Sequence, residues 1–412
     1  MKRLSPLIGL LMLNAISLLG QITTPEEPNK IALPQSSNAA FINNQPPKVA
    51  IRGYMQTRLN GLYQTNPDLT CQQCDRSWGG DIGFFIRRMR IIFYGQIHER
   101  VFMYVQPDFA SSVSSENLHF TQLRDAYFDL GLDPKNEFRL RIGQSKVPFG
   151  YENMQSSQNR LPLDRNDAMN SAVLNERDLG VFFYWAPQNK RKLMSRMVNE
   201  GLKGSGDYGV LGIGTYNGQT ANKPELNPSQ HWVARLSYPF EIGTQIIEPG
   251  LQAYTGQWTL ANSQVTQGVK HKNNLTYLDQ RAAATLNIAP VPFGLLAEYN
   301  IGTGPEYNPR TNAIENQNLQ GGFITLTYLL KNKEQIIMPF ARAHTYNGGK
   351  KFERDARSYA VNEIELGIEW QPYFNFELVV MHTYSSRRFE DATNPTNIQE
   401  GHLLRIQAQF NF

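Results

Sequence analysis

Much of what marks a soluble enzyme is scarce in this chain. Only two cysteines, Cys71 and Cys74 in the stretch TCQQC, occur among 412 residues. They allow one small disulfide or two loop thiols, and exclude a disulfide scaffold or a four-cysteine metal centre. Charged residues make up 18% and the net charge is +4, so nothing points to nucleic acid. The seven histidines, His98, His119, His231, His271, His344, His382 and His402, lie one to a segment and none has a partner at metal-ligand spacing. Neither G-x-S-x-G nor H-E-x-x-H is present, and His382 beside Thr383 and Ser385 reads as ordinary strand polarity. No catalytic residue, metal or cofactor is expected. Past the first residues, no apolar run approaches the ~20 residues that a membrane-spanning helix needs. Any membrane crossing must therefore be made by strands.

What is abundant fits that conclusion. Aromatic residues reach 11% against a mean hydropathy of -0.45, a mixture that suits many half-buried strands. Lys2 and Arg3 followed by an apolar core from Leu7 to Leu19 read as a secretory signal over residues 1–20. Residues 21–48, with Pro25, Pro28, Pro34, Pro46 and Pro47 among Asn, Gln and Ser, read as a flexible arm. From 49 to 412 the apolar–polar alternation is sustained. Met89, Ile91, Phe93 and Ile97 oppose Arg88, Arg90, Tyr94 and Gln96; Leu404, Ile406, Ala408, Phe410 and Phe412 oppose Arg405, Gln407, Gln409 and Asn411. In EIELGIEW, Ile364, Leu366, Ile368 and Trp370 share one face while Glu363, Glu365 and Glu369 share the other. Three carboxylates on one face are intolerable in a dry core unless paired, and fit a water-filled lumen.

Counted along the chain, the pattern gives about sixteen strands, and short connections alternate with long polar ones. The long set includes 59–81, 148–178, 302–318, 347–360 and 386–400, rich in Asn, Gly, Ser, Thr and Pro. That arrangement predicts an all-β, up-and-down antiparallel barrel across a bacterial outer membrane, with lipid outside, polar side chains inside and the last strand closed against the first. Residues 188–207 break the rule, being long on the short side, and are expected to hold a helical turn.

Residues 123–185 contain LRDAYFDL, RLRIGQSKVPFGYEN and ERDLGVFFYW. This run resembles the phosphate-selective porin O and P family of bacterial outer-membrane channels, at Gly143, Lys146, Pro148, Phe149, Gly150 and Glu152 and again from Arg177 to Val181. The resemblance implies a trimer of sixteen-stranded barrels whose third loop, here 151–176, folds into the lumen as a constriction. It also implies an arginine ladder and lysines along the pore. The strand faces offer Arg52, Arg58, Arg88, Arg90, Arg139 and Arg141 as one basic wall, with Lys146 at the root of the loop. The alternative is that these cations pair with Asp108, Asp125 and Asp129. The loop departs from a dedicated phosphate site: Arg160, Arg165 and Arg177 are outnumbered by Glu152, Asp164, Asp167, Glu176 and Asp178. A basic wall facing an acidic loop suits a general pore for small hydrophilic solutes, with anions such as phosphate as candidates. Tyr54, Tyr94, Phe102, Tyr104 and Tyr127 keep a saccharide-guiding porin open as a second reading, and a plugged structural or adhesion barrel as a third.

Overall fold

The computed structural model describes residues 48–69, 71, 83–110 and 119–412. The signal segment, all of the arm before Lys48, and Cys74 lie outside the described residues; Cys71 is disulfide-bonded.

Sixteen antiparallel strands close into a barrel. The first half comprises β1 (Lys48–Gln64), β2 (Gly83–His98), β3 (Val101–Asp108), β4 (Gln122–Gly131), β5 (Phe138–Lys146), β6 (Arg177–Trp185), β7 (Leu211–Tyr216) and β8 (His231–Ser237, continued by Phe240–Ile242). The second half is β9 (Gln245–Thr259), β10 (Thr276–Ile288), β11 (Phe293–Asn308), β12 (Ala313–Tyr328, continued by Leu330–Asn332), β13 (Gln335–Gly349), β14 (Ser358–Tyr373), β15 (Phe376–Glu390) and β16 (Ile398–Asn411). Each strand pairs with its sequence neighbour, and β16 returns to β1 with Gln56 opposite Gln409 and Arg58 opposite Gln407. Closure leaves no open edge, as a hydrocarbon environment requires.

Alternation fixes which side chains see lipid. On β14, Ile364, Leu366, Ile368 and Trp370 are exposed, while Val361, Glu363, Glu365 and Glu369 are buried. Tyr238, Phe293, Tyr328, Trp370, Tyr373 and Phe410 stand exposed near the end that carries the short turns, as an aromatic girdle does at a membrane interface. No helix among the described residues is long and apolar enough to cross a membrane.

The seam explains the terminal aromatic. Gly53 and Phe412 exchange backbone hydrogen bonds of 2.7 and 3.0 Å, and a Cβ on Gly53 would lie 2.4 Å from the Phe412 ring. Gly53 thus leaves the slot into which the last residue packs. Gly53→Leu should overpack the seam at a cost of about 1–3 kcal/mol. The check is a lower temperature for the loss of the compact, heat-modifiable gel band; an unchanged transition would show that Phe412 does not hold the seam.

The buried clusters join strand residues to the connections that pack on them. The largest joins Ile246 of β9, Met338 and Phe340 of β13, and Val379 and Met381 of β15 to Leu161, Leu163, Leu193, Met194, Met197 and Leu202 from two connections. Inward apolar residues of this kind make sense only because those connections cover them.

Candidate permeation path

The connection after β5, residues 147–176, is mostly buried and holds two short helices, α1 (Tyr151–Met154) and α2 (Asp167–Asn170). Its polar groups are bonded to inward-facing side chains from several strands. Tyr151 N and Glu152 N donate to Glu298 of β11 at 2.5 and 2.8 Å. Arg281 of β10 donates to Ala168 O and Ser171 O at 2.9 and 3.0 Å. Arg342 of β13 donates to Glu152 at 2.7 Å and to Asp164 O at 2.9 Å. Asp164 also receives Arg58 of β1 (3.4 Å) and Arg405 of β16 (2.5 Å), and Asp167 receives Lys350 and, at 2.9 Å, Arg387 of β15.

These guanidiniums overcome burial, which by itself would push a carboxyl up. Arg342 and Arg160 hold Glu152 below the usual range, Arg58 and Arg405 hold Asp164 well below it, Arg387 and Lys350 hold Asp167 down, and Arg165 and Arg177 do the same for Glu176. Conversely, burial brings Arg165 down to about 9 despite its 2.6 Å pair with Glu176.

The connection after β6 is the second insert. Pro187 stands at the N-cap of helix α3 (Gln188–Asn199), where its lack of a backbone N–H costs no helical hydrogen bond, and Leu193, Met194 and Met197 fall on its buried face at one-turn spacing. Beyond it, Lys203 donates to both oxygens of Glu369 on β14 (2.7 and 2.8 Å), while Asp207 receives Arg139 (2.7 Å) and Arg191 (2.8 Å). Gln155 of the first insert donates to Lys203 O at 2.8 Å, so the two inserts are tied together.

Open space remains on one side, as a cavity of about 550 Å³ against β2 to β5. Arg52, Arg139, Arg141 and Lys146 line it, joined by Arg100, Arg177 and Arg191; among the described residues Asp125, Asp129 and Asp207 are the carboxylates in the lining. Arg141 forks onto both oxygens of Asp129 at 2.7 and 2.9 Å, and Arg177 meets Asp125 at 2.9 Å. Lys146 donates to the carbonyls of Met154 and Gln155 at 2.9 and 2.8 Å. Arg52 is exposed and lies 4.9 Å from the Tyr94 ring. Among the described residues Arg52, Arg100 and Lys146 form no ion pair, which leaves the cavity with an excess of positive charge.

The expected wall is therefore divided. Arg58, Arg88 and Arg90 do not line the cavity: Arg58 grips the loop through Leu163 O at 3.1 Å and Asp164, Arg88 donates to Gln56 at 2.8 Å, and Arg90 pairs with Asp108 at 2.8 Å. Arg160 donates to Pro162 O and Leu163 O within its own loop, each at 3.0 Å. Glu152, Asp164, Arg165 and Asp167 are consumed in ion pairs and likewise stand away from the cavity. The acidic loop thus does not face the expected wall across water: its carboxylates are paired mainly with Arg342, Arg405, Arg387 and Lys350, and from that wall Arg58 pairs with one of them, Asp164. Glu363, Glu365 and Glu369 are also not in water but paired, with Arg387, Arg342 and Lys203. Sequence reasoning missed Arg100, Arg191, Asp207 and Tyr208; the one available signal was the apolar spacing of Leu193, Met194 and Met197.

A closed antiparallel barrel with an aromatic girdle and a polar inner face is an outer-membrane channel. The chain belongs to the phosphate-selective porin O and P family, whose model matches residues 72–412. Among solved structures, the outer membrane channel DcaP of Acinetobacter baumannii is similar with a TM-score of 0.56 and 12% identity, over 90% of this chain and 99% of that one. The trimer form of OmpT from Vibrio cholerae gives 0.51 and 9%, over 89% and 100%. An anion-selective porin from Comamonas acidovorans gives 0.50 and 10%, over 89% and 100%. At these identities the likeness is one of fold. No curated protein matches the chain in sequence. The protein is accordingly an outer-membrane porin for passive diffusion of small hydrophilic solutes, and its family and fold are those of a channel and not of an enzyme.

Proposed function

We propose that this porin prefers anions, which pass along an off-centre route between the β2–β5 wall and the two inserts, with the loop 147–176 as the constriction. The observation that carries this reading is that Arg52 and Arg100 have no ion pair among the described residues, in a cavity whose three carboxylates among those residues are each engaged by arginine. Unneutralised cations beside a narrow aqueous path attract anions and repel cations. A tight phosphate site is not part of the proposal, because Lys146 already spends two donors on backbone carbonyls. A homotrimer in outer-membrane lipid is the assembly we infer, supported by the trimeric form of one structural neighbour.

The test is the reversal potential of the purified protein in a planar bilayer under a KCl gradient, repeated with added phosphate. The expected result is a potential on the chloride side of zero, with no block at low phosphate. A cation-selective channel would overturn the reading, and an electrically silent protein would favour a plugged structural barrel, to which the packing of α3 lends support.

A further inference from the structure

Three adjacent strands place one tyrosine each at the same level of the inner wall. Tyr94 of β2 is the cross-strand partner of Tyr104 on β3, and Tyr104 of Tyr127 on β4. The rings of Tyr104 and Tyr127 stack with centroids 5.2 Å apart and planes 14° from parallel. A guanidinium closes each end of the row: Arg52 lies 4.9 Å from the Tyr94 ring, and Arg141 lies 4.0 Å from the Tyr127 ring. All five residues line the open cavity, and the three tyrosines are only half-buried.

The two ends are not equivalent. Arg141 has both arms of its fork on Asp129. Arg52 has no hydrogen bond or ion pair among the described residues, so its five donors face the cavity. Tyr127 is covered by Tyr104 on one side and by Arg141, and Tyr94 has Arg52 over it. What the row leaves to a solute is the uncovered ring surface of Tyr94 and Tyr104 beside a planar cation with no ion pair among the described residues, an aromatic contact and a bidentate carboxylate seat at once.

We propose that this row is a docking strip for small organic anions that carry a flat ring, the aryl carboxylates. The ring packs on the surface of Tyr94 or Tyr104 that Arg52 and Tyr127 leave uncovered, and the carboxylate takes the Arg52 fork. Neighbouring strands are about 4.8 Å apart, so a ring on either tyrosine leaves its carboxylate within reach of Arg52. A neutral sugar would use the ring faces but leave the free guanidinium without an anionic partner. A compact inorganic anion would use the guanidinium and leave the rings idle. The inference rests on the anion-passing route proposed above and adds the solute class.

Three probes of the full chain in a planar bilayer separate these cases: benzoate, cyclohexanecarboxylate and maltose. Benzoate and cyclohexanecarboxylate share charge and approximate size but differ in the π face. Benzoate should block the KCl current at the lowest concentration. In Tyr104→Leu, the ratio of benzoate to cyclohexanecarboxylate block should fall roughly fivefold. Tyr94→Leu is the second variant should the first fail to assemble, and Arg52→Gln should weaken both carboxylates together. Equal block by the two carboxylates, strongest block by maltose, or an unchanged ratio in both tyrosine variants would each overturn the strip. The wild-type reversal potential is read in the same membranes: without anion preference the permeation route itself fails, whereas anion preference with equal block sinks only the strip.

Discussion

Replacing residues 188–207 by a short Gly/Ser turn between Pro187 and Tyr208 should raise single-channel conductance, roughly doubling it or more as the open cross-section grows. The barrel does not need this insert to turn a corner. The connections at the same end between β2 and β3, and between β14 and β15, each use two residues, Glu99–Arg100 and Phe374–Asn375. What the insert supplies is cover. Leu193, Met194 and Met197 of α3 pack with Leu202 against Ile246, Met338, Phe340, Val379 and Met381, whose places on the inner face would otherwise meet water. Because the deletion exposes that surface, it should be paired with Met338→Gln and Val379→Ser so that the emptied half stays wetted and does not collapse. Conductance in KCl is the readout. An unchanged value in a properly assembled variant would show that α3 lies clear of the path, and the off-centre route would have to be abandoned.

Arg342→Met should release the loop. One guanidinium on β13 bonds Glu152, Glu365 and the carbonyl of Asp164, and all these groups are buried. Removing it takes the closest cation from both carboxylates, leaving Glu152 to the Asn166 donors and Glu365 to Arg405 at 3.7 Å, and breaking a buried pair in this way costs about 3–5 kcal/mol. The cheapest escape is for Glu152 to leave with its loop. Open-channel noise and conductance should rise, and the heat-modifiable band should unfold at lower temperature. Arg342→Met with Glu152→Gln should recover part of the loss, because one of the stranded charges is gone.

The pH dependence of the same contact has a definite sign. Burial pushes the Glu152 carboxyl up, but Arg342 and Arg160 hold it below its ordinary value. Its contribution is therefore complete above about pH 4, the unfolded glutamate value, and is lost as pH falls through the depressed folded value. Without Arg342 the acid transition in channel noise should move to higher pH. An unmoved transition would mean that Arg342 does not set the loop's position.

How much of this was legible in the chain differs by level. The barrel was, because a strand buries side chains with period two and a local pattern such as Ile364, Leu366, Ile368, Trp370 against Glu363, Glu365, Glu369 states both faces at once. The terminal Phe412 was legible as the end of a lipid-facing face, though not its seat on Gly53, which comes from 359 residues earlier and is brought there only by closure. The segment 188–207 was visible as an exception to the loop pattern. Its role was not, because an amphipathic helix has the same sequence whether its apolar face meets a neighbouring domain or the inside of its own barrel.

Arg52 and Arg58 show where the limit falls. They share one face of one strand and the same chemistry, yet Arg52 lies over Tyr94 with no ion pair among the described residues while Arg58 is sealed against Leu163 O and Asp164. Nothing local separates them, since the carboxylate that captures Arg58 lies 106 residues away. The row of Tyr94, Tyr104 and Tyr127 is likewise a product of strand register across three strands. By itself, then, the sequence determined strand number, membrane face and family, since these follow from short-range periodicity and from a motif. Only the tertiary structure decided which cations are spent, which half of the barrel is filled and where a solute can run, because those depend on which distant side chains the folded inserts bring within a hydrogen bond.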